Sequence, residues 1–320
     1  MLPSADRDLT ERLFALLLPG SGPVAEVRAL EGGSVSPVQQ VSFTDPAAPD
    51  VVLKLGLGQE KWTVLKEAHA YRRLAAHGIG PIPEVLAGGE SMELLDGGSC
   101  VVMSLLPGCT FAKVGAELTQ AQTRDVYEQL GAILARIHAI PMPAFGYTFD
   151  DILDPLPDNA SHMAGFLADG LRDYRAHGAD AGLADAIAET VEARAAAFAE
   201  CQAPVLCHGD AHEDNVLVVP GPDGRWIISG LIDPANMQAG DPVMELVRTD
   251  RFAIAGDEDK LAGLLAGYGR GGDRWPAEWE PRMYLYRILL ALELRNWFTD
   301  RSPQFVPALD EELRTLVEGR

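Results

Sequence analysis

Apolar and polar positions along this chain follow two different periods, and the change of period divides it. In the first third, short apolar runs recur at 24–30, 38–43, 51–55, 84–90 and 100–106. Runs of this length, rich in β-branched residues and bounded by Gly, Pro and Asp, predict strands. Two helical patterns interrupt them. Residues 8–18 form a short amphipathic stretch that Pro19-Gly20 stops. Residues 61–76 place Leu65, Ala68, Tyr71, Leu74 and Ala75 near helical spacing before Gly78.

Beyond Gly108 the period becomes helical. Thr119 and Gln122 have the spacing of a capping box, and Val126, Leu130, Ile133, Leu134 and Ile137 form one apolar stripe that Pro141 and Pro143 terminate. Further helices are expected over 183–199 and 243–248. Residues 282–298 are apolar nearly all round, which predicts a buried helix. Two apolar runs, 216–219 and 226–232, flank the turn signal Pro222-Asp223-Gly224 and predict a hairpin. The expected class is α+β. Residues 1–106 would form a small antiparallel sheet with one helix, and residues 107–320 a mainly helical remainder with the hairpin on its inner face.

Composition adds exclusions. The chain has 320 residues, 47% of them apolar, enough for a substantial core and too many for disorder. No run reaches the roughly 20 residues of a membrane span. The first residues lack a basic region followed by a long apolar one, so no secretory signal is expected. Cys100, Cys109, Cys201 and Cys207 lack C-x-x-C spacing and sit in or beside apolar runs, which predicts reduced, buried thiols and a cytoplasmic location. The seven His and four Cys suggest no zinc cluster. A net charge of -21 makes nucleic acid a poor partner and allows a cationic one.

The candidate chemistry lies at 206–218, an apolar approach, a polar loop and an apolar strand. Asp210 and Asn215 sit in the loop, and the hairpin would return Asp233 to the side of Asn215. Two Asp and one Asn in one pocket suit metal-assisted phosphoryl transfer. One carboxylate accepts the proton of an attacking hydroxyl, while the amide and the other carboxylate hold Mg²⁺ on the phosphates. Without that chemistry the same residues are turn formers and a strand-end cap.

His208-Gly209-Asp210-x-x-x-x-Asn215, followed by Ile232-Asp233 and Gly240-Asp241-Pro242, resembles the aminoglycoside phosphotransferase family. The resemblance implies a two-lobed, protein-kinase-like fold that uses ATP and Mg²⁺ to phosphorylate a small molecule. It makes Asp210 the catalytic residue and Asn215 and Asp233 the metal ligands. Lys54 would bind the α- and β-phosphates, with Glu67 of the 61–76 helix holding it. Gly33 and Ser34, in the turn 31–37, would cover the phosphates, although that turn departs from G-x-G-x-x-G and alone is a plain hairpin turn. Met103 to Leu105 would be the hinge that meets adenine. His208 would hold the loop by hydrogen bonds, and Asp241 would cap the next helix.

Six residues, 234–239, separate Asp233 from Gly240. Protein kinases keep a long segment there to order protein substrates, so a protein acceptor is not expected. Residues 150–185 carry eight Asp against Arg172 and Arg175. The resemblance puts the acceptor-binding insertion in this stretch. A cationic acceptor, with an aminoglycoside antibiotic as the leading candidate, is therefore expected; the alternative is a solvated acidic surface. A housekeeping kinase for choline, homoserine or a sugar shares every motif. A nucleotide-binding module without turnover is the remaining alternative.

Overall fold

The computed structural model describes residues 6–30, 36–58 and 61–319. The chain begins with α1 (Arg7–Leu17), β1 (Val24–Ala29), β2 (Val38–Phe43), β3 (Val51–Gly56), α2 (Lys61–Ala76), β4 (Val85–Met92) and β5 (Gly98–Ser104). The five strands make one antiparallel sheet in the order β1-β2-β3-β5-β4. Successive side chains of a strand face opposite sides. Leu53 and Leu55 therefore join Leu13 and Phe14 of α1 in one core layer. Lys54, between them, faces α2, whose Val64, Ala68 and Tyr71 pack on Val101 and Met103. This alternation sets the lysine beneath a helix that can offer it a carboxylate.

The helical lobe continues with β6 (Cys109–Thr110), α3 (Phe111–Val114), α4 (Gln120–His138), β7 (Gly146–Tyr147), α5 (Asn159–Ala176), α6 (Ala181–Glu192), β8 (Val205–Cys207), β9 (Val216–Pro220) and β10 (Trp226–Leu231). It ends with β11 (Gln238–Gly240), α7 (Pro242–Thr249), α8 (Glu258–Gly267), α9 (Glu280–Arg301) and α10 (Val306–Val317). The capping box forms at α4, with Gln122 N donating to Thr119 Oγ1 and Thr119 N donating to Gln122 Oε1 at 2.9 Å. α9 runs through the core as its pattern requires, burying Met283, Leu285, Ile288, Leu289 and Leu292 among others. The hairpin also forms: β9 pairs antiparallel with β10, and Ile232 N donates to Asn215 O at 2.9 Å.

Two stretches differ in detail from the sequence reading. The acidic stretch 150–185 is largely helical, against the alternative of a solvated acidic surface. Met163, Leu167, Leu171 and Tyr174 form the buried stripe of α5. Asp158 caps α5 by accepting Ser161 N at 2.7 Å, and Asp180 caps α6 by accepting Gly182 N and Leu183 N. Asp169 pairs with Arg172, and Asp185 with Arg175. The helix expected over 183–199 stops at Glu192, and a 3-10 turn, Ala195–Glu200, follows it. There Phe198 packs on Tyr286, and its carbonyl accepts Asn159 Nδ2 at 3.1 Å.

Candidate active site

A three-stranded sheet, β7-β11-β8, organises the site. β8 delivers the chain into the loop 208–215, and β11 receives it after Asp233. The two loops touch at Gly209. Its φ is +84°, and a Cβ there would lie 2.3 Å from Asn236 O, so no larger residue fits between them.

The loop is braced from below. His208 N and Gly209 N donate to the two oxygens of Glu245 in α7, each at 2.9 Å. Glu245 Oε2 also lies 2.6 Å from His138 Nε2 of α4, whose Nδ1 is 2.7 Å from Tyr268 Oη. Burial acts to raise the Glu245 carboxyl, but the contacts with His138, His208 and the Gly209 amide hold it below the usual range. His208, fully buried, accepts Asp210 N at 3.3 Å through Nδ1, the holding role expected of it.

His138, Cys207 and Glu245 thus converge, three ligand types that the sequence did not place together. Their chemistry is that of a brace. Both Glu245 oxygens accept backbone N–H groups, both His138 nitrogens have partners, and burial pushes the Cys207 thiol up, away from the thiolate a metal requires.

Above the brace, Asn215 Nδ2 donates to Asp210 O at 2.9 Å and Oδ2 at 3.3 Å. His212 Nε2 lies 3.6 Å from Asp210 Oδ1. Burial acts to raise the Asp210 carboxyl, but the His212 hydrogen bond and nearby positive charge hold it below the usual range. It is therefore ionised near neutrality and can accept a proton. Arg248 Nε donates to Gly209 O at 3.1 Å, while its other nitrogens grip Glu293 at 2.7 and 3.1 Å.

The second half of the site comes from the sheet lobe. Lys54 Nζ lies 2.6 Å from Glu67 Oε2 and 3.1 Å from Asp233 Oδ1. Burial acts to lower its pKa, yet the two carboxylates prevail and push it to about 12. Asp233 adopts a left-handed conformation, φ 60° and ψ 55°, which Asp tolerates better than most residues. Its N–H donates to Tyr71 Oη at 2.9 Å. Tyr71 lies one turn along α2 from Glu67, so one helix face presents both groups to Lys54 and Asp233.

The structure brings Asp210 and Asn215 together in one loop and Lys54, Glu67 and Asp233 in an adjoining cluster. The Ile232–Asn215 backbone bond links the two. Met103 lies near the end of β5, just before the chain crosses between lobes. Its side chain is buried beneath α2 with Val64 and Tyr71, so it backs the Lys54 pair. Leu105, half-buried, follows β5 where the chain crosses to the helical lobe. Gly33 and Ser34 lie outside the described residues. Asp241 caps α7 through Val243 N at 2.9 Å and also accepts from Arg282 at 2.7 Å and Tyr286 at 2.8 Å.

Sequence reasoning did not find Tyr71, Glu245, His138 or His212 as members of the site. Tyr71 read as one apolar position in a stripe. Glu245 and His138, 107 residues apart, carry no shared local signal.

Solved structures share this architecture. Aminoglycoside phosphotransferase APH(4)-Ia superposes with a TM-score of 0.72 at 18% identity, covering 98% of this chain and 99% of that one. A ternary complex of a thermostable APH(4)-Ia mutant with ADP and hygromycin B gives 0.71 at 17% identity, covering 96% and 97%. The GDP and kanamycin complex of APH(2")-IIia gives 0.69 at 15% identity, covering 97% and 98%. At these identities the likeness establishes the two-lobed, kinase-like fold. The model of the phosphotransferase enzyme family, APH, matches residues 26–282, most of the length that carries the loop, the hairpin and both clusters. The chain belongs to the phosphotransferase enzyme family.

Proposed function

We propose that this protein transfers the γ-phosphate of ATP to a hydroxyl of a small, cationic molecule, with an aminoglycoside-like amine sugar as the leading candidate. One observation carries the reading: a single hairpin sets an ionised Asp210 and Asn215 beside Asp233, which Lys54 reaches from the other lobe. Asp210 orients the acceptor hydroxyl and takes its proton as the phosphoryl group moves. Lys54, fully charged and held by Glu67, lies against the phosphate oxygens. Asn215 Nδ2 donates to Asp210, which leaves Oδ1 as a hard oxygen donor; with the carboxylate of Asp233 it forms a donor set that suits Mg²⁺. Bound there, the cation supplies charge neutralisation on the phosphates. The chain crosses between lobes at about residue 106, and Met103 to Leu105 offer backbone to the base.

The acceptor side lies where Glu293 and Arg248 adjoin Asp210. Desolvation pushes the Tyr147 hydroxyl up to about 12, with Glu293 and Asp169 raising it and Arg248 lowering it. The helical lobe, residues 107–320, holds 34 Asp and Glu against 18 Lys and Arg. Both features favour a cationic acceptor within about 8 Å, the screening length at physiological salt. Steady-state assays of ADP release with aminoglycosides, choline, homoserine and neutral sugars test the proposal. An amine-bearing acceptor should give the highest kcat/KM, and that value should fall as salt rises. Turnover of a neutral sugar alone would overturn the cationic acceptor and leave the transfer itself standing.

A further inference from the structure

The outer face of α2 carries a second stripe with a different job from the Glu67–Tyr71 face. Trp62, Lys66, His69 and Arg73 recur at the i, i+4, i+7 and i+11 positions of one helix face. All four meet a single short segment of the other lobe, Tyr147 to Asp150. The Trp62 ring is 6.2 Å from the Phe149 ring in an edge contact, and the His69 ring is 4.7 Å from the same ring. Lys66 Nζ sits 5.6 Å from the Tyr147 ring centre, and Arg73 Nη2 donates to Asp150 O at 2.9 Å.

That segment is firmly seated. Tyr147 pairs with Gln238 in β11, and Thr148 donates to Met237 O through its Oγ1. Phe149 N donates to Asp151 O, closing a tight turn. β11 is the strand that follows Asp233, and it also pairs with β8, which leads into the Asp210 loop. The segments that lead into and out of this small sheet therefore grip α2 twice. Inside, Asp233 takes Lys54 and gives its N–H to Tyr71. Outside, Phe149 and its neighbours hold the opposite edge of the helix.

We infer that the Tyr147 to Asp150 segment is a clasp that positions α2, so that Glu67 stays on Lys54 while the lobes are joined at the nucleotide site. The clasp adds a second hold to the one that the turn Pro234–Asn236, just after Asp233, already has on α2. Phe149 is a positioning residue: it acts through α2 and Glu67. Half-buried, it can be removed without opening a core cavity. The inference rests on the phosphotransfer reading for the consequence, and on the contacts alone for the clasp.

The test is a double-mutant cycle on the full chain. Mg²⁺-ATP affinity is measured by calorimetric titration for wild type, Phe149→Ala, Glu67→Gln and the double variant, with backbone hydrogen exchange followed over α2. Phe149→Ala should speed exchange in α2 and weaken nucleotide binding roughly five- to tenfold, the scale of losing aromatic pairs that hold a helix in place. Phe149→Tyr should restore both. In the Glu67→Gln background the Phe149 change should add less than about twofold, because its effect runs through Glu67. Wild-type exchange and affinity in Phe149→Ala would overturn the clasp, and so would losses that multiply. If wild type bound no nucleotide, the transfer reading would fail, while α2 exchange in Phe149→Ala would still decide the clasp. Arg73→Ala, which removes one exposed hydrogen bond, should move exchange in the same direction, and no change there or in Phe149→Ala sinks the idea.

Discussion

Two regions of this protein concentrate Asp, and they use it in opposite ways. In the loop and hairpin from His208 to Asp233, the carboxylates of Asp210 and Asp233 are held by side chains: His212 and Asn215 around the first, Lys54 on the second. Their oxygens remain able to meet a hydroxyl proton or a cation. In the stretch 150–185, Asp158 and Asp180 accept the free N–H groups of helix ends, Asp151 accepts Ile152 N, and Asp169 and Asp185 pair with arginines. Those oxygens are taken up by backbone N–H groups or by arginines of the same stretch. Charge density along a sequence therefore says less about chemistry than the partners each oxygen already has.

Substitutions sharpen that contrast. The largest effect belongs to Asp210→Asn, which should lower kcat by about 100- to 10,000-fold with nucleotide affinity nearly intact, as expected for loss of a proton acceptor. Steady-state kinetics beside calorimetric titration separate the two quantities. A variant keeping more than about a tenth of wild-type kcat would contradict the role of Asp210.

Next comes Glu245→Ala, which attacks the support of the same loop. It strands two buried backbone N–H groups and His138, so the protein should lose roughly 3 kcal/mol of stability in urea denaturation. A loss within about 0.5 kcal/mol, the scale of a neutral surface change, would show the brace to be idle.

Asp233→Ala removes one of few hard oxygens and should weaken Mg²⁺-ATP binding by about tenfold, while affinity without Mg²⁺ changes little. Titrations with and without the cation read this directly, and an unchanged Mg²⁺ dependence would take Asp233 out of the metal site.

The smallest effect falls in the other region. Asp180→Ala should cost about 1 kcal/mol of stability as a lost cap and leave kcat/KM for the acceptor at the wild-type value. A clear rise in acceptor KM would make Asp180 part of the acceptor face and break the contrast.

How much of this was legible depended on the range of the signal. The strands, α2 and α4 follow from local periodicity, and the capping box at Thr119 formed as its spacing requires. Asp210, Asn215 and Asp233 were legible because a turn signal between two apolar runs fixes where the second run returns. α5 was hidden by its charge, although Met163, Leu167, Leu171 and Tyr174 keep helical spacing after the Asp158 cap. A one-dimensional pattern did not show that α2 has two working faces; the structure puts Lys66 and His69 on the clasp side, away from Glu67. The Glu245–His138 brace joins α7 to α4 across the core, and only tertiary packing places its members together.

The central claim is that phosphate passes from ATP to an acceptor hydroxyl at Asp210. Phosphorus NMR of a reaction containing wild-type protein, Mg²⁺-ATP and the best acceptor of the panel tests it most directly. The account predicts one new phosphomonoester signal on the acceptor for each ADP formed, and neither product above background with Asp210→Asn. ADP and free phosphate without acceptor ester, or equal ester formation by the variant, would contradict it.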